Sequence, residues 1–206
     1  MLFDVPRLAI LNETIRNLYY HVTMWFAMMI LMTASLVYSI RYLNSSKPEF
    51  DIKAKIAAEI GLLLGVLGIA TGSVWAKFTW GAFWVNDPKL NGAAITILIY
   101  LAYIILRNSI PESQKRGRLS AVYNIFAYVM LMVFLMILPR LTDSLHPGNG
   151  GNPAFSSYDL DNNMRLVFYP AIIGWTLVGT WIGELQWRLY RLQSKIDDNN
   201  EAEFNQ

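Results

Sequence analysis

The sequence predicts an all-α protein, a polytopic transmembrane helix bundle of five spans forming a single integral membrane domain over residues 1–206. Three observations carry that expectation. Charge is scarce: 16% of the 206 residues are charged and 54% are apolar, against about 25% and about 45–50% in a typical soluble domain. Charge is also uneven, because long uncharged runs of Leu, Ile, Val, Met and aromatics separate short charged stretches. Each run approaches the roughly 17–25 residues that cross a bilayer as a helix, and lipid offers no hydrogen-bond partner to any looser backbone.

The spans follow from the gaps between charges. Between Arg16 and Arg41 lie 24 uncharged residues, predicting a helix over about 20–40. Gaps of 17 between Glu59 and Lys77, and of 17 between Lys89 and Arg107, predict helices over about 57–76 and 91–107. The 21 residues between Arg118 and Arg140 predict a fourth over about 119–139, and the 18 between Arg165 and Glu184 a fifth over about 166–187. Loops 41–55 and 107–118 and the C-terminal tail together hold 11 Lys and Arg, against 6 on the other side. The positive-inside rule then places the C-terminus in the cytoplasm and the N-terminus outside.

Three segments fall on the outer side: the first 19 residues, the Trp-rich 77–89 loop and the His-bearing 140–165 loop. Leu8, Leu11, Ile15 and Leu18 recur at helical spacing, so the first segment reads as an interfacial helix lying along the membrane surface. The 140–165 loop is longer than a connection needs.

Several chemistries are excluded. Without Cys there is no disulfide, thiolate metal site, Cys nucleophile or c-type heme attachment motif. A net charge of +2 is too balanced for a nucleic-acid binder. No P-loop pattern occurs, and the spans carry no ionisable group at mid-depth of the kind an ion-coupled transporter uses. The remaining candidates gather at the outer face.

Both histidines lie there, His21 opening the first span and His146 in Leu145-His146-Pro147-Gly148. Imidazole is a common metal ligand and an axial ligand of heme iron, so the two side chains suit one iron clamped from both faces. The plain alternative makes His21 an interfacial belt residue and His146 a solvated loop residue. The run Trp75-Ala76-Lys77-Phe78-Thr79-Trp80-Gly81-Ala82-Phe83-Trp84-Val85-Asn86-Asp87-Pro88-Lys89 places three of the seven tryptophans within ten residues. Tryptophans gather at membrane interfaces in any case. Indoles in a loop also suit a large planar aromatic ligand, with Lys77 and Lys89 meeting its carboxylates. Gly61, Gly65, Gly68 and Gly72 read as a close helix-packing stripe, and Met24, Met28 and Met32 as core filling. Glu184 and Arg188 read as a surface pair, and Pro170 as a bend in the fifth helix.

The stretch from Thr71-Gly72-Ser73-Val74-Trp75 through Trp84-Val85-Asn86-Asp87-Pro88-Lys89-Leu90 resembles the tryptophan-rich (WWD) signature of the heme-handling proteins of cytochrome c maturation, and within that group the heme exporter protein C family. Tyr20-His21-Val22 and Leu145-His146 resemble the two histidines flanking that signature, and the likeness extends over about residues 17–187. Phe83 and Asn86 depart from the family's usual Trp, and Lys89 replaces its usual Arg, which keeps the charge and loses the bidentate fork. The family usually has six spans, and this chain carries five, the missing one being that before the first histidine.

The resemblance implies a non-enzymatic role in cytochrome c-type biogenesis: binding heme, as a transported b-type ligand, at the outer face of the bacterial inner membrane and delivering it to a periplasmic heme chaperone. The implied partners are that chaperone, ABC-type transporter subunits, a small single-span subunit and membrane lipid. By the resemblance, His21 and His146 would be the axial ligands, and Trp80, Trp84 and Asp87 part of the heme and chaperone platform. The residues themselves add Trp75 to the heme-binding set as an indole against the porphyrin, and Lys89, with Arg140 or Lys77, at the propionates. Pro147-Gly148 and Gly150-Gly151 are the expected hinges for ligand exchange on release. The alternative is a heme–cytochrome ligase or a membrane oxidoreductase subunit.

Overall fold

The computed structural model describes residue 5, residues 11–146 and residues 160–204. Five helical stretches are long and apolar enough to cross a membrane, and all regular structure among the described residues is helical. A 3-10 turn, Asn12–Asn17, leads into α1, Leu18–Ser45. The chain reverses at Ser46, whose φ of 55° ends α1, and Pro48 opens α2, Pro48–Trp80. Proline suits this first helical position, where its missing N–H has no intrahelical partner. Gly81, at φ 80°, closes α2, and Pro88 opens α3, Pro88–Asn108. Helix α4, Ser113–Met132, continues through a π-helical segment, Val133–Ile137, into the short α5, Leu138–Leu141. Helix α6 runs from Asn162 to Phe204 with Pro170 inside it.

All five helices therefore overrun the uncharged stretches. The terminal turns accept charges because those side chains find partners on the helices themselves, as Arg188 does with Glu184 at 2.9 Å. The Trp-rich segment is likewise more helical than its composition suggests: Trp75 and Trp80 belong to α2, and the connection proper is 81–87.

Helix α1 is the central element, packing on α2, α4 and α6. Its contact with α2 follows the glycine stripe. A Cβ would fall 2.9 Å from Met32 at Gly61, 3.1 Å from the Met28 sulfur at Gly65 and 2.8 Å from the Trp25 Nε1 at Gly68, and at Gly72 it would overlap the His21 ring. Met24, Met28 and Met32 are buried in the core that this approach creates. Helix α4 meets α1 through polar groups: Asn124 donates to Ser35 Oγ at 2.7 Å and to Ser39 Oγ at 2.8 Å, and Ser35 Oγ donates to the Ala54 carbonyl at 2.6 Å.

The N-terminal segment departs from the expected interfacial helix. Ile15 is buried, packed with Tyr19, Leu160, Met164 and Phe168 in a second apolar cluster that Leu11 and Leu18 border. An apolar stripe that finds protein to bury against does not lie on lipid; Leu8, expected in the same stripe, is outside the described residues.

Arg107, which reads as a loop charge in the sequence, is instead buried. Its guanidinium makes a two-pronged pair with Asp51, Nη1–Oδ1 2.6 Å and Nη2–Oδ2 2.5 Å, joining the last turn of α3 to the first turn of α2. Each charge also complements the dipole of its own helix end. Removing one partner leaves the other charge stranded, at a cost of about 3–5 kcal/mol. Arg107→Met is expected to lower the unfolding temperature in detergent sharply, whereas Asp51→Leu combined with Arg107→Met should recover most of the loss. Equal melting of Arg107→Met and the parent protein would refute the role of this pair.

A two-histidine cavity at one end of the bundle

The end of the bundle opposite the Asp51–Arg107 pair contains a cavity of about 400 Å³. Its walls come from α1, the last turns of α2, the first turns of α3, the π segment with α5, and the loop that follows. His21 and His146, 125 positions apart in sequence, both line it, as do Trp25, Trp75, Trp80, Trp84, Lys89 and Arg140.

His21 sits where α1 and α2 approach most closely. Its Nδ1 lies 2.8 Å from the Gly68 carbonyl oxygen. A carbonyl only accepts, so Nδ1 carries the proton and the lone pair belongs to Nε2. Gly72, one turn along, has no side chain and thereby makes room for the ring. Trp75 approaches His21 edge-on, with ring centroids 6.1 Å apart, and its indole N–H donates to Thr14 Oγ1 at 3.2 Å.

His146 is held from a different direction, by Asp87. This carboxylate is 1% exposed and caps α3, its Oδ1 accepting from the backbone N–H of Lys89 at 2.9 Å and of Leu90 at 3.3 Å. The same oxygen lies 3.0 Å from His146 Nδ1. Oδ2 accepts from the Ser144 hydroxyl at 2.9 Å and from the Leu145 N–H at 2.8 Å. Burial pushes the Asp87 carboxyl pKa up, but the hydrogen bonds from His146, Leu145 and Ser144 outweigh it and hold the group well below the usual carboxylate range. With Nδ1 facing an ionised carboxylate, Nδ1 is the donor, and in the neutral imidazole the lone pair is on Nε2. Trp80 packs edge-on against this ring, with centroids 4.8 Å apart.

Trp84 is 44% exposed and reaches the cavity from the 81–87 connection, its N–H 3.3 Å from Asn91 Oδ1. Asn91 in turn donates to Asn86 Oδ1 at 2.8 Å, so this side chain braces the connection. Lys89 and Arg140 place two cations on the cavity wall. Lys77 is directed elsewhere: its Nζ donates to the Gly81 carbonyl at 2.8 Å and lies over the Phe83 ring, which caps the C-terminal end of α2. Pro147-Gly148 and Gly150-Gly151 lie outside the described residues.

The family model described as heme exporter protein C (CcmC) matches residues 1–202. The chain belongs to the heme exporter protein C family. Heme exporter protein C of Paracoccus denitrificans is 25% identical over 193 residues, which is 90% of this chain and 74% of that protein. Heme exporter protein C of Rhodobacter capsulatus is 28% identical over 154 residues, 71% of this chain and 61% of that protein. A cytochrome c biogenesis protein CcsA of Prochlorococcus marinus is 38% identical over 97 residues, 47% of this chain and 30% of that protein. The chain spans about half the length of several relatives it matches: 40% in Marchantia polymorpha, 61% in Rhodobacter capsulatus and 46% in Bradyrhizobium diazoefficiens. Membership of the heme exporter protein C family, with five membrane-span-like helices, makes this a multi-pass membrane protein.

Several of the groups that shape the cavity, or the parts they play in it, are not evident from the sequence. Trp25 lies one turn after His21 and is detectable only by that spacing. Gly68 and Gly72 read as packing residues, yet one supplies the carbonyl that orients His21 and the other the space for its ring. Asp87 is expected in the platform from the resemblance, but its hold on His146, and the part Ser144 plays beside it, rest on contacts that no local pattern announces.

The two glycines Gly72 and Gly81 separate space from backbone conformation. A Cβ at Gly72 overlaps His21, whereas one at Gly81 meets nothing within 4 Å and faces only the positive φ. Overpacking of this kind costs roughly 1–3 kcal/mol, while Asn tolerates the left-handed region. Gly72→Ala should therefore lower the unfolding temperature in detergent by several degrees, and Gly81→Asn should melt close to the parent protein. The opposite order would show that the His21 ring is not confined by α2.

Proposed function

We propose that this protein functions in cytochrome c maturation, holding heme by two axial imidazoles, His21 and His146, and passing it to a periplasmic heme chaperone. The observation that supports this most is that two distant histidines, each with Nδ1 tied to an acceptor, line one indole-walled cavity. A second hydrogen-bond partner on the far ring nitrogen is the usual arrangement of a metal-ligating histidine. The donor set also fits the group: imidazole is an axial ligand of heme iron, and an apolar slot with a few placed polar groups suits a large planar ligand.

Trp75 and Trp80 flank the two imidazoles, and Trp84 covers the cavity from the 81–87 connection. Lys89 and Arg140 supply positive charge for the propionates. Asp87 acts through His146 and α3. The chain has no Cys to form the thioether links of c-type heme, which supports a b-type, non-covalently held ligand. Phe83, Trp84 and Leu145 are exposed beside the cavity and offer an apolar landing surface for the chaperone. This end of the bundle faces the periplasm across the bacterial inner membrane, with the basic loops and the C-terminus in the cytoplasm. The family setting adds ABC-type transporter subunits and a small single-span subunit as partners.

Two experiments test this reading. The detergent-solubilised protein should show the absorption bands of bis-imidazole heme, and His21→Ala and His146→Ala should each lose them; bands unchanged in both variants would overturn the ligand assignment. Lys89→Gln combined with Arg140→Gln should release heme several-fold faster while holding heme dimethyl ester as the parent protein does. Equal acceleration for both ligands would remove the propionate contact.

A further inference from the structure

We infer that Asp87 is a positioning residue that makes the two imidazoles unequal donors, strengthening His146 as a ligand and biasing the bound iron toward its ferric state. The inference rests on the reading of the cavity as a heme site and concerns how that site is tuned.

The asymmetry lies in what each Nδ1 touches. For His21 the acceptor is the neutral backbone carbonyl of Gly68, which also accepts from the Thr71 hydroxyl at 3.1 Å. For His146 it is a full negative charge, 3.0 Å away on a carboxylate that is 1% exposed. Hydrogen bonds to charged acceptors are roughly twice as strong as neutral ones. An N–H donated to a buried carboxylate shifts electron density onto the ring and raises the basicity of Nε2. Ferric iron carries one more positive charge than ferrous iron, so a more basic ligand backed by a fixed negative charge stabilises it further.

The carboxylate cannot turn away from this task. Backbone N–H groups of Lys89 and Leu90 hold Oδ1, and Ser144 and Leu145 hold Oδ2. These neutral donors orient the charge without cancelling it. Lys89 and Arg140 line the same cavity and pull the iron toward the ferrous state. They are unchanged in the comparisons below, so each comparison isolates the Asp87 side.

The test uses the heme-loaded full-length protein in detergent. Asp87→Asn retains a carbonyl oxygen for the α3 cap and removes the charge. It should keep the bis-imidazole spectrum while the preference for ferric over ferrous heme falls about tenfold, which is a rise of about 59 mV in midpoint potential for one electron. A retained spectrum with an unshifted potential would overturn the inference and leave the heme site standing. A second comparison keeps Asp87 in place: His21→Ala and His146→Ala, each loaded with heme and supplied with imidazole to fill the vacated position. His21→Ala, which retains the carboxylate-backed ligand, should have the lower potential of the two, and equal or reversed potentials would overturn the inference. Absence of bis-imidazole bands from the parent protein would instead sink the heme reading beneath it.

Discussion

The separation of α1 from α2 is the constraint on which the rest of the molecule depends. Within a membrane, lipid tails are as apolar as leucine, so helices gain little by hiding apolar side chains and associate through close van der Waals fit. Gly61, Gly65, Gly68 and Gly72 supply that fit along one face of α2. What they meet changes along the stripe. At Gly61 and Gly65 the neighbours are Met32 and Met28, and the result is core; at Gly68 and Gly72 they are Trp25 and His21, and the result is the wall of the cavity. The approach also bares a backbone carbonyl that a side chain would otherwise cover, and that carbonyl orients His21.

A single carboxylate organises the other half of the cavity. Asp87 ends the connection from α2, begins α3 and holds the loop beyond α5, so one buried charge joins three segments. A buried charge destabilises a protein unless its hydrogen-bonding capacity is filled, and here both oxygens are engaged. The Asp51–Arg107 pair does the corresponding work at the far end, where it ties α2 to α3. Between these two polar anchors the bundle is closed by shape, with the Asn124–Ser35–Ser39 cluster fixing how α4 lies on α1.

The sequence discloses the five spans because absence of charge is a local property, visible without knowing the fold. Helix ends are less legible. Proline at 48 and 88 starts helices inside stretches that composition alone reads as loop, and Lys77 and Trp80 remain helical because Gly81 supplies the turn one residue later. Arg107 reads as a loop charge because its partner is 56 positions away. The same limit applies to the cavity. The two histidines and the tryptophan run stand out by residue type, and the structure brings them to one cavity. The groups that orient them are less legible: Gly68 reads as a packing residue, and Asp87, though marked by the tryptophan run, shows its hold on His146 only once the folded chain brings the imidazole to it.

The wide turn at Val133–Ile137 has a geometric meaning of its own. Leu138 donates five residues back to Val133, and Pro139, next in line, has no N–H for the Phe134 carbonyl, which lies against Gly92. Such a turn holds one residue more than an α-helical ladder would, and each residue advances a helix by about 100°. Shortening this stretch by one position would restore a regular spiral and swing Arg140 around the axis, off the wall it shares with Lys89. The spacing between the two cations is thus written in the length of the chain as much as in its side chains.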